Sequence, residues 1–237
     1  MQFGRHISGQ FNTELEAIRT HVLTMGGLVE QQLAFAMQAL HKDDHDLAKR
    51  VIQDDHKVNA MEVAIDQVCT KIIAKRQPTA KDLRLIIAII KTITDLERIG
   101  DVASRMARVV LESPKEQHFQ ISLEPLCRKA IHMLHEVLDA FARMDATAAA
   151  RLHKTDDILD EEYDAVMRQL IAFMAEDPGN IPSVLQVMWS ARAIERVGDR
   201  CQNICEYIIY FVKGKDVRHL SPENLDDIVT PEAPNSP

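Results

Sequence analysis

No stretch of this sequence is apolar for long enough to cross a membrane. The longest runs, Leu85 to Ile90 and Tyr207 to Val212, fall well short of the about 20 residues that a bilayer-spanning helix needs. The opening Met1-Gln2-Phe3-Gly4-Arg5-His6 lacks the apolar core of a secretory signal. Cysteine is sparse: there are four in 237 residues and no Cys-x-x-Cys pair, which points to the reducing cytoplasm. Cys201 and Cys205, four apart on an expected helix, could meet a soft metal, but burial as small hydrophobes is the expectation. Basic charge is also short. With 28 Lys and Arg against 36 Asp and Glu the formal charge is −8, so the surface as a whole repels nucleic acid and anionic lipid. No nucleic-acid partner is expected, and contact with a membrane is expected only through partner proteins.

The signatures of catalysis are missing as well. There is no Gly-x-x-x-x-Gly-Lys loop, no Gly-x-Ser-x-Gly elbow and no His-Glu-x-x-His pair. No Glu-x-x-His occurs either, which removes the usual inward ligands of a di-iron carboxylate bundle. The histidines are scattered; His132 and His135, three apart, are expected to be two surface side chains. The chain is therefore not expected to be an enzyme. The rival readings are a metal-dependent helical carboxylate enzyme and a metal-free helical scaffold.

Glycine and proline are scarce and clustered, and the stretches between Pro78, Pro114, Pro125, Pro178 and Pro182 run long without a breaker. The fold class this implies is all-α, with six long helices over about 10–42, 44–75, 79–112, 121–143, 145–176 and 181–213. Thr79-Ala-Lys-Asp82 resembles a capping box, Asp44 and Asp145 can accept first-turn amide bonds, and Gly214 suits a left-handed stop. Leu85, Ile89, Leu96, Ile99, Ala103, Met106 and Val110 form one apolar stripe; Val187, Ile194, Val197, Cys201, Ile204, Ile208 and Phe211 form another. Residues 215–237, rich in proline and acid and without a stripe, are expected to be disordered.

The second half echoes the first. At an offset of 101, Leu33 meets Leu134, Asp44 meets Asp145, Ala48 meets Ala149 and Asp55 meets Asp156. At an offset of 98, Glu97-Arg98-Ile99-Gly100-Asp101 meets Glu195-Arg196-Val197-Gly198-Asp199. Two three-helix bundles in tandem, 10–112 and 121–214, follow from this repeat. The slip of three residues is expected in the loop between the second and third helices.

Acidic residues recur at helical spacing. Glu97 and Asp101 share a helix face, as do Glu195 and Asp199, both at the rim of a core stripe. The second helix adds Asp55, Asn59, Glu62 and Asp66 on one stripe; the fifth keeps Asp156 and Asp160 but has Tyr163 and Met167 in place of the Glu and the last Asp. Like charges so placed repel, and a bound cation would remove that cost. Oxygen donors favour hard or borderline ions, so a divalent metal, Mg, Mn, Fe or Zn, is the expected cofactor, its identity left open by the spacing. A lone Glu-x-x-x-Asp pair usually marks a solvated face; two inside a repeated Glu-Arg-x-Gly-Asp signature are more telling. Gly100 and Gly198, costly mid-helix by about 1 kcal/mol against alanine, are expected where another backbone approaches. Arg98 and Arg196 are expected to pair with nearby acids, with anion binding as the alternative.

Glu97-Arg-Ile-Gly-Asp101 and Glu195-Arg-Val-Gly-Asp199-Arg-Cys-Gln-Asn203, set in a doubled helical frame, resemble the PhoU family. His6-Ile-Ser-Gly-Gln-Phe11 and Ala74-Lys-Arg-Gln-Pro78 are similar to its proteobacterial form. The resemblance implies a cytoplasmic negative regulator of the phosphate-starvation (Pho) regulon, often a homodimer. Its implied partners are the ATPase subunit of the phosphate-specific (Pst) ABC transporter and the sensor histidine kinase PhoR. It also implies metal ligands: Glu97, Asp101, Asp55, Asn59 and Glu62 in the first repeat, and Glu195, Asp199, Asn203, Asp156 and Asp160 in the second. Asn59 and Tyr163 depart from an all-carboxylate pattern and make the two sites unlike.

Overall fold

Two corners of the chain are built alike. α1 (Gly9–Lys42) turns into α2 (His45–Arg76) through Asp43, left-handed at φ 51°, and Asp44. α4 (Glu124–Arg143) turns into α5 (Ala146–His153) through Met144, also at φ 51°, and Asp145. In both corners the Asp N–H reaches five residues back, Asp44 to Ala39 O and Asp145 to Ala140 O at 3.0 Å each. Both Asp carboxylates accept the first free amides of the next helix, Asp44 from Asp46 and Leu47, Asp145 from Thr147 and Ala148. These bonds satisfy groups that a helix terminus leaves open. The expected caps at Asp44 and Asp145 are therefore present.

The structure, a computed structural model, describes residues 9–112, 122–218, 220 and 222–229. It continues with α3 (Ala80–Glu112), α6 (Asp156–Glu176), a short 3-10 turn (Pro178–Asn180), α7 (Ile181–Lys213) and α8 (Pro222–Val229). No strand occurs among the described residues, and none of their helices is long and apolar enough to cross a membrane. α1, α2 and α3 pack on one another; α4, α5 and α6 pack on α7. The tandem-bundle fold is thus present, its two halves joined through α3 on α7 and α1 on α4. Gly214 stops α7 at φ 74°, its N–H on Tyr210 O. At the start of α3 the Asp82 N–H donates to the Thr79 carbonyl at 3.1 Å.

Both expected apolar stripes are buried, Leu85 to Val110 on α3 and Val187 to Phe211 on α7. α3 buries more than one stripe: Ile86, Ile93, Asp95 and Ala107 are buried too. It lies between α1, α2 and α7, and a helix so enclosed keeps little solvent face, here Arg98, Arg105, Arg108 and Glu112.

Three expectations change. The fifth helix, read as 145–176, is two helices broken at Lys154 and Thr155. Their amides bond three residues back, to Arg151 and Leu152, and the Thr155 hydroxyl takes the Leu152 carbonyl at 2.7 Å, so the ladder stops there. The slip of three residues is not made in the loops, 77–79 and 177–180. α3 runs twenty residues from Ala80 to Gly100, and α7 only seventeen from Ile181 to Gly198. Finally, the stretch expected to be disordered contains α8, whose Leu225 and Val229 are buried against the body and whose partners are α5 and α7. Residues 230–237, and residue 121 at the expected start of the fourth helix, lie outside the described residues.

Candidate metal centres

The two signature glycines sit where an acid from the preceding helix presses on the backbone. A Cβ at Gly198 would meet Asp156 Oδ1 at 2.3 Å and Leu159 Cδ2 at 2.6 Å. At Gly100 it would meet Gln32 Oε1 at 3.3 Å and Val58 Cγ1 at 3.4 Å, with Asp55 Oδ1 at 3.8 Å. The close approach expected from another backbone is made instead by side chains, and among them are the carboxylates themselves.

In the first repeat, α2 brings Asp55 and Glu62 to face Glu97 and Asp101 of α3. Burial pushes the Glu97 carboxyl up from its ordinary value, helped by Asp101, Glu62 and Asp55 in that order and opposed by Arg98. Asp55 accepts from Gln32 Nε2 at 3.0 Å, and Glu62 from the Thr94 hydroxyl at 3.2 Å. Asn59 Oδ1 and Gln32 Oε1 are buried with no hydrogen-bond partner. Asp66 is exposed.

The second repeat is tighter. Asp156 and Glu195 are buried, while Asp160 and Asp199 are exposed at the edge. Burial, then Asp160, Asp199 and Glu195, push the Asp156 carboxyl up to about 7. Glu195 is raised by burial and then by Asp199, and Asp160 likewise by burial and then by Asp199. Asp156 Oδ1 and Glu195 Oε2 are buried with no partner, although Glu195 Oε1 accepts from Arg192 at 2.8 Å.

Orphaned buried oxygens on facing acids are what a hard cation would satisfy. The donor chemistry and the burial fit such an ion; the spacing is looser. Among the described residues no three His, Cys, Asp or Glu side chains stand close enough to grip one ion as they lie.

One implied ligand is placed elsewhere. Asn203 hydrogen-bonds Asp95 of α3 instead of joining Asp156, Asp160, Glu195 and Asp199. The reason is rotation: Arg200, Asn203 and Tyr207 project from the face of α7 that meets α3. There Asp95, buried, accepts from Tyr207 Oη at 2.9 Å and lies 3.5 Å from Arg200 and 3.6 Å from Arg98. Arg98 therefore pairs with an acid, as expected, while Arg196 forms no ion pair among the described residues. Burial also pushes up the thiols of Cys201 and Cys205, which serve as core, and His132 and His135 are exposed.

Gln32 and Asp95 escaped the sequence reading. Gln32 is a polar residue within the α1 stripe Met25, Val29, Leu33 and Ala36, and Asp95 lies between buried Ile93 and Leu96. A polar interruption of an apolar pattern was the available signal.

The family model described as PhoU domain matches residues 22–110 and again residues 123–208. The phosphate-specific transport system accessory protein PhoU of Escherichia coli (strain K12) is 58% identical over 231 residues, 97% of this chain and 96% of that protein. The crystal structure of PhoU from Pseudomonas aeruginosa matches with a TM-score of 0.81 at 44% identity, covering 86% of this chain and 100% of that one. That of the phosphate transport system regulatory protein PhoU from Streptococcus pneumoniae matches with a TM-score of 0.82 at 30% identity, covering 87% and 99%.

Proposed function

We propose, from the premise that this chain belongs to the PhoU family, that it is an accessory protein of a phosphate-specific transport system, working through contacts with partners and not by catalysis. The observation that carries this reading is the 58% identity, along almost the whole of both chains, to a protein named for that role. The finer role is negative regulation of the phosphate-starvation regulon when phosphate is plentiful. In it the chain, as a cytoplasmic homodimer, couples the Pst ATPase subunit to the sensor kinase PhoR. The structural relative named as a phosphate transport system regulatory protein supports this direction.

The two acidic clusters are the proposed switch. Asp55, Asn59, Glu62, Glu97 and Asp101 would hold one divalent ion, and Asp156, Asp160, Glu195 and Asp199 another. A bound ion supplies positive charge that these acids lack. The residues themselves fix the consequence: drawing Asp55 and Glu62 toward Glu97 seats α2 on α3, and drawing Asp156 toward Glu195 seats α6 on α7. Each movement alters the outer faces that partners meet.

The test is capture of the transporter ATPase and the kinase by wild type and by the Glu97→Gln/Glu195→Gln double variant, with and without Mn²⁺. Capture that depends on metal and is lost in the variant supports the switch; capture indifferent to both detaches the acids from signalling. A second reading, a metal-free scaffold, draws on the loose spacing of the donors. Metal content no higher than background after gentle purification would favour it.

A further inference from the structure

The α3–α7 seam is asymmetric in charge. Asp95 pairs with both Arg98 and Arg200. The residue matching Asp95 in the second repeat, 98 positions on, is Ala193. Around Ala193 the arginines therefore have no internal acid of this kind: among the described residues no hydrogen bond or ion pair reaches the guanidinium of Arg105, Arg108 or Arg196, all three exposed. Two adjoining hollows of about 450 and 440 Å³ open here, and Arg105, Ala193 and Arg196 line both. In a chain of net charge −8 this is a local excess of positive charge, the arginines of the two hollows outnumbering their acids Glu97, Asp101 and Glu112.

A second observation meets the first. Ile181, Leu185 and Trp189 follow one another at spacings of four on α7 and are 41%, 38% and 70% exposed. Arg192 and Arg196 continue the same stripe, so one face of α7 passes from apolar to basic over about 22 Å. Trp189 lines the larger hollow beside Arg105 and Arg108.

We propose that this groove between α3 and α7 docks an acidic amphipathic segment of a partner protein, its apolar side chains on Ile181, Leu185 and Trp189 and its carboxylates among Arg105, Arg108 and Arg196. One of those carboxylates does for Arg105 and Arg196 what Asp95 does for Arg98 and Arg200, which line the smaller hollow too. Tryptophan and arginine are the residues that most often carry binding energy at interfaces. A second copy using the same face would set arginine against arginine. An anionic lipid surface is flat, whereas these arginines come from both helices of a concave groove that Glu97, Asp101 and Glu112 also line. A single phosphate is too small to span the stripe.

The inference rests on the reading of the chain as an accessory that acts by contact, and not on the metal. Trp189 is the only tryptophan, so its emission reports the groove. The full chain is titrated with a synthetic helical peptide carrying Leu and Glu on one face, with its Gln counterpart, and with phosphatidylglycerol vesicles. A saturable blue shift with the Glu peptide alone, weakened by salt, is expected. Arg105→Glu/Arg196→Glu should weaken binding by roughly tenfold or more, and Ala193→Asp, which supplies the missing acid internally, should do the same with helicity unchanged. No saturable shift, a shift equal in both variants, or preference for vesicles overturns the proposal. Capture of the transporter ATPase separates the two readings. If wild type captures it and neither variant weakens capture or peptide binding, the groove alone is wrong. If wild type captures none while the peptide still binds, the accessory reading alone fails.

Discussion

At the scale of single residues, the signature glycines carry unequal burdens. An alanine methyl at Gly198 must displace Asp156 and Leu159, both buried, so Gly198→Ala is expected to cost about 1–3 kcal/mol. At Gly100 the neighbours at 3.3 and 3.4 Å need give only slightly, and the helix gains about 1 kcal/mol from alanine, so Gly100→Ala should be near neutral. Chemical denaturation of the two variants checks the contrast; equal losses would contradict it. Asp156 also sets a pH dependence. Its carboxyl rises from 3.8 to about 7 on folding, so the native state keeps a proton that the unfolded chain releases. Its stabilising contribution is complete below pH 3.8 and lost as pH rises through about 7. Chelator-treated protein should therefore melt at lower temperature at pH 8 than at pH 6, and Asp156→Asn should flatten that slope.

At the scale of elements, the matched corners at Asp44 and Asp145 predict matched penalties. Asp44→Ala and Asp145→Ala should each cost about 1 kcal/mol, because each frees two helix-start amides. A loss at one corner only would show that the bonds are not equivalent. The break between α5 and α6 has no counterpart in α2. It was legible in part, since Thr155-Asp156-Asp157 has the composition of a helix start, but an apolar pattern continuing on both sides hides such a corner. α3 was legible as a helix and as one stripe. Its further buried faces were not, because helical periodicity marks the solvent side of an element, and α3 has little of one.

At the scale of the whole molecule, the seam between α3 and α7 that joins the two bundles holds a buried carboxylate, Asp95. Tyr207→Phe removes a hydrogen bond from Asp95 and should destabilise the chain by about 1–3 kcal/mol, since the carboxylate it leaves is buried. Thermal unfolding should show this as a lower Tm. α8 extends the body. Leu225→Ala, at a fully buried position, is expected to cost about 2–4 kcal/mol; an unchanged Tm would mean that the helix is not docked in solution.

Sequence alone determined most of what depends on neighbours along the chain: the spans of five of the six expected helices, caps at Asp44 and Asp145, the doubled frame, and the pairing of Glu97 with Asp101 and Glu195 with Asp199. The doubled frame is written in offsets of 98 and 101, the others in spacings of a few residues. Tertiary structure decided what depends on rotation and on partners far along the chain. It brought Asp55 to Glu97 and Asp156 to Glu195, turned Asn203 away to Asp95, drew Gln32 of α1 into the first cluster, and left Arg105 and Arg196 beside Ala193 with no acid bonded to them among the described residues. At about 100° per residue Asn203 lies about 40° round the helix from Asp199 and about 80° from Glu195, and no pattern in one helix records which neighbour a side chain so placed will meet.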